Sequence, residues 1–186
     1  MSPRPSLPLT HEYILLGLLH QRPMHGYDLH KEIASREGIA LIWSIKQSQL
    51  YALLDKLEAQ SMLASTLVPG EAHPMRKEFR LTETGQQAFS SWVQNPVRHP
   101  RAMRQDFLAR LYFAMQISQQ AAVHLIHQQQ AVCHSWLQGL DQRERLLGEG
   151  RDFERSVYAF RTAQITGMLE WLSSQEIKLT RKQPAP

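Results

Sequence analysis

Apolar residues in the first third of the chain recur at the spacing of short helices. The segment 13–19 is almost entirely apolar, which predicts a short, mostly buried helix that Thr10 caps and 21–23 breaks. A second helix is predicted from about 26 to 35. A third carries a single stripe of leucines, spaced three, one and three apart. That stripe consists of Leu50, Leu53, Leu54 and Leu57.

The pattern then shortens to the period of β-strands. Residues 62–68 are rich in leucine and β-branched side chains, and 77–81 alternate between polar and apolar positions. The two segments predict a β-hairpin with a loose loop over 70–76. A further helix follows, which Thr82 caps and which ends before 95–96.

Three helices, a hairpin and a closing helix are the element order of a winged helix-turn-helix domain, which we place over 1–95. Residues 95–101 hold two prolines and two arginines and indicate a domain boundary. Beyond them the pattern is helical throughout, with a break at Gly148 and Gly150. Long amphipathic helices bury little surface alone, so we expect a second subunit to cover them by helix exchange. The predicted fold class is mostly α with a small β-hairpin, ending in an α-helical dimerisation and possible effector domain over 96–186.

Composition excludes several classes of protein. Hydrophobic residues make up 42% and charged residues 20% of the 186 residues, which excludes a disordered chain. The single cysteine, Cys133, excludes an internal disulfide framework and a multi-cysteine zinc site. No apolar stretch approaches the ~20 residues that span a bilayer, and no secretory signal is recognisable, so we expect a soluble cytoplasmic protein.

Net charge alone does not argue for nucleic-acid binding. The formal charge is +4, yet residues 1–95 hold nine basic and nine acidic side chains. Any argument for DNA binding therefore depends on where individual charges lie.

The start of the third predicted helix carries side chains that suit DNA. In a helix-turn-helix, the last helix before the wing enters the major groove with its N-terminal residues nearest the bases. Gln47 and Gln49 each offer an amide donor and acceptor, which match N6 and N7 of adenine. Lys46 suits a phosphate or a guanine edge, and the Tyr51 hydroxyl suits a phosphate. A polar helix start with ordinary solvated side chains is an equally open interpretation.

The hairpin tip is a second basic spot, with Arg76, Lys77 and Arg80 close to His73. Such residues bind the DNA backbone or the minor groove and add affinity that depends on salt. The alternative is a solvated hairpin tip.

Four blocks of sequence, in order and suitably spaced, resemble PadR-type transcriptional regulators. They are Met24-His25-Gly26-Tyr27-Asp28-Leu29, Trp43, residues 48–58 and residues 79–85, and the resemblance covers roughly 12–93. It implies a DNA-binding regulator, more often a repressor, that acts as a homodimer. It also implies DNA contacts by the following residues: Tyr27, Gln47, Ser48, Gln49, Tyr51, Arg76 and Lys77.

Two positions depart from the family pattern. Ser61 stands where the family often has glycine after the recognition helix, and Phe79 stands where it usually has tyrosine before the Arg-Leu-Thr of the wing. Phe79 therefore loses any contact that a hydroxyl would make.

The segment 107–114 resembles the start of the helical C-terminal domain in the branch that includes virulence-gene activators, where that domain forms the dimer. Some relatives bind flat aromatic effectors near the dimer interface. We hypothesise that Trp136, with Phe107 or Tyr112, lines a cavity for a small aromatic effector here. Simple packing of these rings is the favoured alternative.

Catalysis and metal binding have weaker support. The chain has no glycine-rich phosphate loop, no nucleophile elbow and no suggestive carboxylate pair, so we predict no enzyme and no cofactor. His124, His127 and His134 share a predicted helix face, but no carboxylate stands at matching spacing and Cys133 points elsewhere.

We therefore predict a sequence-specific, homodimeric transcriptional regulator that binds a pseudo-palindromic operator in double-stranded DNA. A winged-helix module that binds a partner protein is the first alternative, because residues 1–95 have no net charge. An aromatic-ligand-binding helical dimer with a secondary DNA role is the second.

Overall fold

A computed structural model describes residues 10–35, 37–70 and 73–181, with the backbone alone at 70, 73 and 74. Within this part the chain forms seven α-helices and three β-strands. The helices are α1 (Thr10–Gln21), α2 (Gly26–Ala34), α3 (Gln47–Ala59), α4 (Glu83–Gln94), α5 (Asp106–Ile117), α6 (Gln119–Arg145) and α7 (Asp152–Arg181). The strands are β1 (Met24–His25), β2 (Leu63–Gly70) and β3 (His73–Leu81), and single 3-10 turns lie at Gly38–Leu41 and Pro100–Arg104.

The predicted fold class, mostly α with a small β-hairpin, is confirmed. The α-helices arrange into two units. The first contains the described residues up to 93 together with 108–113 of α5, and the second contains 94–107 and the residues from 114 onward. Among the described helices, none has the length and apolar content needed to cross a membrane.

The first unit is built on the leucine-rich helices α1 and α3. Leucines 50, 54 and 57 of the predicted stripe are fully buried, and Leu53 is half-buried. Each buried leucine contributes about 2 kcal/mol through removal of apolar surface from water. The same core includes Phe113 of α5, whose ring lies edge-on to Phe89 with centroids 5.6 Å apart. Residues 108–113 are thus part of this core.

The sheet has three antiparallel strands in the order β1-β3-β2. The predicted hairpin is present, but the prediction of a loose loop over 70–76 is wrong for 73–76, which already belong to β3. Val68 pairs with Arg76 and Gly70 with His73, and an irregularity between these two pairs absorbs the extra residue. Residues 71 and 72 lie outside the described part. Strand β1 is a third strand that sequence patterning did not predict.

The turn between α3 and β2 is fixed by contacts with the start of α4. Thr82 Oγ1 accepts a hydrogen bond from Gly85 N–H (3.1 Å), which confirms the predicted cap, and donates one to the Ser61 carbonyl (2.7 Å). A β-carbon on Gly85 would lie 2.1 Å from the Met62 carbonyl oxygen, so this close approach requires glycine. Ser61 itself has a φ of 57°, the left-handed conformation.

We expect Ser61→Gly to stabilise the protein by about 0.5–1 kcal/mol. The left-handed conformation costs a residue with a β-carbon roughly 1–2 kcal/mol. The greater entropy that glycine loses on folding offsets about 0.4–1 kcal/mol of that gain. Urea unfolding followed by circular dichroism measures the difference. Ser44→Gly is the control, because its backbone is not left-handed and the same change there should be neutral or slightly destabilising.

The second unit centres on the antiparallel helices α6 and α7. Ser118 caps α6 by accepting a hydrogen bond from Ala121 N–H (3.0 Å), and the predicted break between the helices is confirmed around Gly148 and Gly150. The buried residues between them include Leu125, Ile126, Cys133, Ile165 and Leu172. Cys133 is therefore a small buried core residue, and its burial raises the pKa of its thiol.

A buried glutamine holds the segment before α5 in place. The Gln129 side chain is fully buried; its Oε1 accepts a hydrogen bond from Val97 N–H (2.8 Å) and its Nε2 donates one to the Val97 carbonyl (3.3 Å). One residue along, the Arg98 carbonyl accepts a hydrogen bond from Trp136 Nε1 (3.2 Å). The predicted boundary segment is thus anchored to α6 at two successive residues.

Candidate nucleic-acid interface

The start of α3 presents a polar, exposed end. Lys46 occupies the position before the helix, and its side chain makes no capping hydrogen bond. Because the leucine stripe faces the core, the side chains between the leucines point outward. The exposed predicted site residues on this end are Lys46, Gln47, Ser48, Gln49 and Tyr51.

An open pocket of about 360 Å³ lies beside this helix end. It is lined by His25, Gly26, Tyr27, Gln47, Tyr51, Arg76 and Lys77. Five of the eight residues predicted to bind DNA therefore meet around one pocket, although they come from α2, α3 and β3. The remaining three, Lys46, Ser48 and Gln49, are exposed on the same helix end outside the pocket lining.

Gly26 allows the Tyr51 ring to lie against the start of α2. A β-carbon at Gly26 would stand 2.7 Å from Cε1 and 2.9 Å from the hydroxyl oxygen of Tyr51. The ring therefore occupies the space that any other side chain at 26 would need. The Tyr51 hydroxyl lies beside the positive end of a helix, where an anion is favourable. Tyr27, the next residue, is 60% exposed.

Strand β1 joins this helix start to the hairpin, which is the wing. Met24 pairs with Phe79 and His25 with Glu78. In addition, His25 Nδ1 lies 3.1 Å from the Lys77 carbonyl oxygen, which accepts a hydrogen bond from the ring. Sequence reasoning did not single out His25 as a residue that links two elements with predicted DNA contacts, because a two-residue strand has no periodic signal.

Two basic side chains of the wing differ in their surroundings. Both are exposed, but Lys77 Nζ also lies 3.1 Å from Glu58 Oε2, near the end of α3. The other Glu58 oxygen accepts a hydrogen bond from Ser65 Oγ at 2.5 Å. The hydrogen bonds from Ser65 and from Lys77 lower the pKa of Glu58, so the carboxylate stays charged below the usual glutamate range. Its contribution to stability is lost only as the pH falls through that lowered pKa.

Two other wing residues were named from the sequence. Arg80 is exposed and lies on the same strand as Arg76, four residues further from the tip. The side chain of His73 lies outside the described part of the chain.

The three residues of the hypothesised aromatic cavity, Tyr112, Phe107 and Trp136, are distributed over the two units. Tyr112 belongs to the first unit, where its ring lies beside Gly38, and burial together with Glu32 raises its pKa. Phe107 and Trp136 belong to the second unit. Phe107 is fully buried and packs edge-on against Trp171, at a centroid distance of 6.2 Å. Trp136 donates a hydrogen bond to the Arg98 carbonyl (3.2 Å), and the cavity for an aromatic effector stays a prediction.

The histidines of α6 take part in ordinary polar contacts. His127 Nε2 lies 2.7 Å from Glu176 Oε1 on α7, and this contact lowers the pKa of Glu176. His124 shares a hydrogen bond with Gln128 (2.9 Å), and His134 is exposed. Within the described residues, no three histidine, cysteine or carboxylate side chains are grouped as a metal site would need.

Comparisons with known proteins identify similar sequences. Residues 15–91 match the family described as "Transcriptional regulator PadR-like family". The chain is 29% identical over 121 residues to the "Negative transcriptional regulator PadR" of Bacillus subtilis (strain 168). That match covers 63% of this chain and 64% of the relative, so the chain spans less than two thirds of the relative's length.

Solved structures of Bacillus subtilis PadR are also similar. The complex with operator DNA has 24% identity and a TM-score of 0.46, and the match covers 92% of this chain and 99% of that one. The complex with p-coumaric acid has 23% identity and a TM-score of 0.41, and the match covers 92% and 96%.

Proposed function

We propose, since this chain belongs through residues 15–91 to the PadR-like family of transcriptional regulators, that it binds a specific DNA operator as a homodimer and represses transcription. The observation that carries the proposal is the exposed, polar start of α3 beside Arg76 and the start of α2. A helix end of this kind fits the major groove, where an amide reads adenine. The neighbouring cation and helix start suit the phosphates on either side.

Glutamine provides the base-reading chemistry in this proposal. Gln47 and Gln49 lie on the exposed side of α3, within its first turn. Tyr27 and Tyr51 add hydroxyl groups at the pocket, and Arg76 adds the charge of the wing. The side chains proposed to distinguish bases thus lie on the helix, and the groups proposed to bind the DNA backbone surround it.

Exposed apolar side chains on α7 and on the connection that precedes it support a homodimer. The most exposed are Leu146 (86%), Phe153 (79%) and Phe160 (63%). Large apolar residues grouped on a surface mark an interaction site, and a second copy of the chain is the simplest partner. A two-fold dimer would present its two recognition helices to half-sites ~34 Å apart on a pseudo-palindrome.

Fluorescence anisotropy of the full chain on labelled DNA tests the proposal. One duplex comes from just upstream of its own gene and a second has the same composition in scrambled order, and both are titrated at several salt concentrations. We expect tighter binding to the upstream duplex and a loss of affinity with salt on both. Failure to bind either duplex at any salt concentration would reject the DNA-binding function, and equal affinity would reject specificity for this site.

Gln49→Ala should weaken binding to the upstream duplex by about 1–3 kcal/mol, because a bidentate contact to adenine is lost. Binding to the scrambled duplex should stay unchanged. Gln138→Ala, which removes an exposed glutamine of α6, is the matched control and should alter neither. An equal loss on both duplexes would show that Gln49 does not read a base.

Arg76→Ala should weaken binding to both duplexes alike. A phosphate contact releases counterions, so the slope of log affinity against log salt should become shallower by ~0.9. The measurement repeats the titration between about 50 and about 200 mM salt. A slope equal to that of the wild type would show that Arg76 does not contact a DNA phosphate.

A further inference from the structure

Arg76 and Lys77 both line the pocket, but as neighbours on a strand they point their side chains to opposite faces of the wing. Successive residues of a strand point to opposite sides of the sheet. In the register of β2 with β3, Lys77 pairs with Leu67, and Ser65 pairs with Phe79, so these residues share one face. Phe79 is buried, which makes this the inner face. Arg76 therefore points away from the core, on the outer face of the wing.

On the inner face, both oxygens of Glu58 are engaged. One oxygen lies 3.1 Å from Lys77 Nζ, and the other accepts a hydrogen bond from Ser65 at 2.5 Å. Lys77 Nζ also lies 5.9 Å from the centre of the Phe79 ring, which attracts a cation. The Lys77 ammonium thus has an acidic partner and an aromatic partner within the protein, and Ser65 of β2 holds the other oxygen of the Glu58 carboxylate.

We infer that Glu58 limits the DNA-binding charge of the wing by neutralising Lys77, which leaves Arg76 as the phosphate-binding cation of this pair. The inference rests on the proposed function and deepens it. Lys77 is then a positioning residue that ties the wing to the end of α3. The sequence predicts that Arg76 and Lys77 both contact the DNA backbone, but the ion pair with Glu58 gives Lys77 a different role. Less non-specific affinity makes a larger share of binding depend on the start of α3.

The test uses the full chain and the scrambled duplex, because the effect is independent of base sequence. Glu58→Gln keeps an oxygen for Ser65 but removes the charge, so Lys77 becomes available to a phosphate. We expect tighter binding and a salt slope steeper by ~0.9. The gain in affinity should therefore shrink roughly threefold to fourfold between about 50 and about 200 mM salt. Thermal unfolding confirms that each variant is folded.

Two controls separate this effect from a general change in charge. Glu83→Gln removes an exposed carboxylate from the first turn of α4 and should keep the wild-type slope. The double variant Glu58→Gln/Lys77→Ala should also keep it, because no released lysine remains. A second single variant, Lys77→Gln, tests the inference without touching Glu58. It should keep the wild-type slope, in contrast to the shallower slope of Arg76→Ala.

The outcomes are distinguishable. If the wild type binds neither duplex, the proposed function fails and this inference fails with it. If the wild type binds but Glu58→Gln keeps its slope, or Lys77→Gln flattens it as much as Arg76→Ala does, the inference alone is overturned. A steeper slope in Glu58→Gln that persists in the double variant would assign the effect to overall charge and would also overturn it.

Discussion

Replacing Lys56 by methionine is expected to destabilise the protein by about 3 kcal/mol. Lys56 Nζ lies 2.5 Å from Glu12 Oε1 and links α3 to α1. The Glu12 side chain is only 1% exposed, whereas the Lys56 side chain is 41% exposed. Removing one partner of such a pair leaves a carboxylate out of water without its cation, which costs about 3–5 kcal/mol. The exposure of Lys56 places our expectation at the lower end.

Urea unfolding of the full chain measures this loss, and a second variant identifies its cause. Glu12→Gln/Lys56→Met should recover most of the stability, because a neutral amide is less costly to bury than a carboxylate that has lost its lysine. Lys46→Met is the control, since Lys46 is exposed before α3 and should change stability by about 0.5 kcal/mol or less. If Lys56→Met also changes the free energy of unfolding by only about 0.5 kcal/mol or less, the assigned role of the ion pair is contradicted.

Gln129→Leu is expected to cost about 3 kcal/mol. Leucine fills a similar space but offers no partner to the Val97 N–H and carbonyl, which Gln129 binds at 2.8 and 3.3 Å. A buried backbone group without a hydrogen bond costs about 1–3 kcal/mol. The two groups belong to one residue, so they lose their partners together.

Hydrogen exchange gives a local readout of the same change. The Val97 amide should be protected in the wild type and should exchange much faster in Gln129→Leu, while amides in the middle of α3 keep their protection until global unfolding. Gln142→Leu, at an exposed position of α6, is the matched control and should alter neither stability nor exchange. Wild-type protection at Val97 in the variant would show that the glutamine does not hold this segment.

Local signals in the sequence were sufficient for most helices and for one cap. The leucine stripe of α3 and the cap by Thr82 depend on residues within a few positions of one another, so periodicity and side-chain chemistry predict them. Side chains at the start of α3 were identified for the same reason, because exposure follows from the position of the leucines.

Contacts between distant segments could not be predicted in this way. Strand β1 has two residues, and only its pairing with β3 makes it a strand. The partner of Lys77 is Glu58, nineteen positions away, and the register of the wing brings the two together. Gln129 belongs to a glutamine-rich run whose composition does not distinguish the buried member from the others. Each of these features depends on the completed fold.

The aromatic hypothesis stays a prediction for a related reason. Trp136, Phe107 and Tyr112 were grouped on the family resemblance and because aromatic residues are dense in that part of the chain. Density along the sequence says nothing about which unit a ring joins, and Tyr112 lies on the stretch of α5 that packs in the first unit. Residue type alone therefore does not establish a shared cavity.

The division of α5 has a consequence for how this protein can evolve by gene fusion. The unit that carries the predicted DNA contacts includes 108–113, and Phe113 packs edge-on against Phe89 and Trp92 in its core. A single recombination point after α4 would transfer α3 and the wing but leave that aromatic ring behind. A fusion that preserves the first unit must carry its breakpoint beyond residue 113, so the parts of this protein are not exchangeable at the proline-containing boundary.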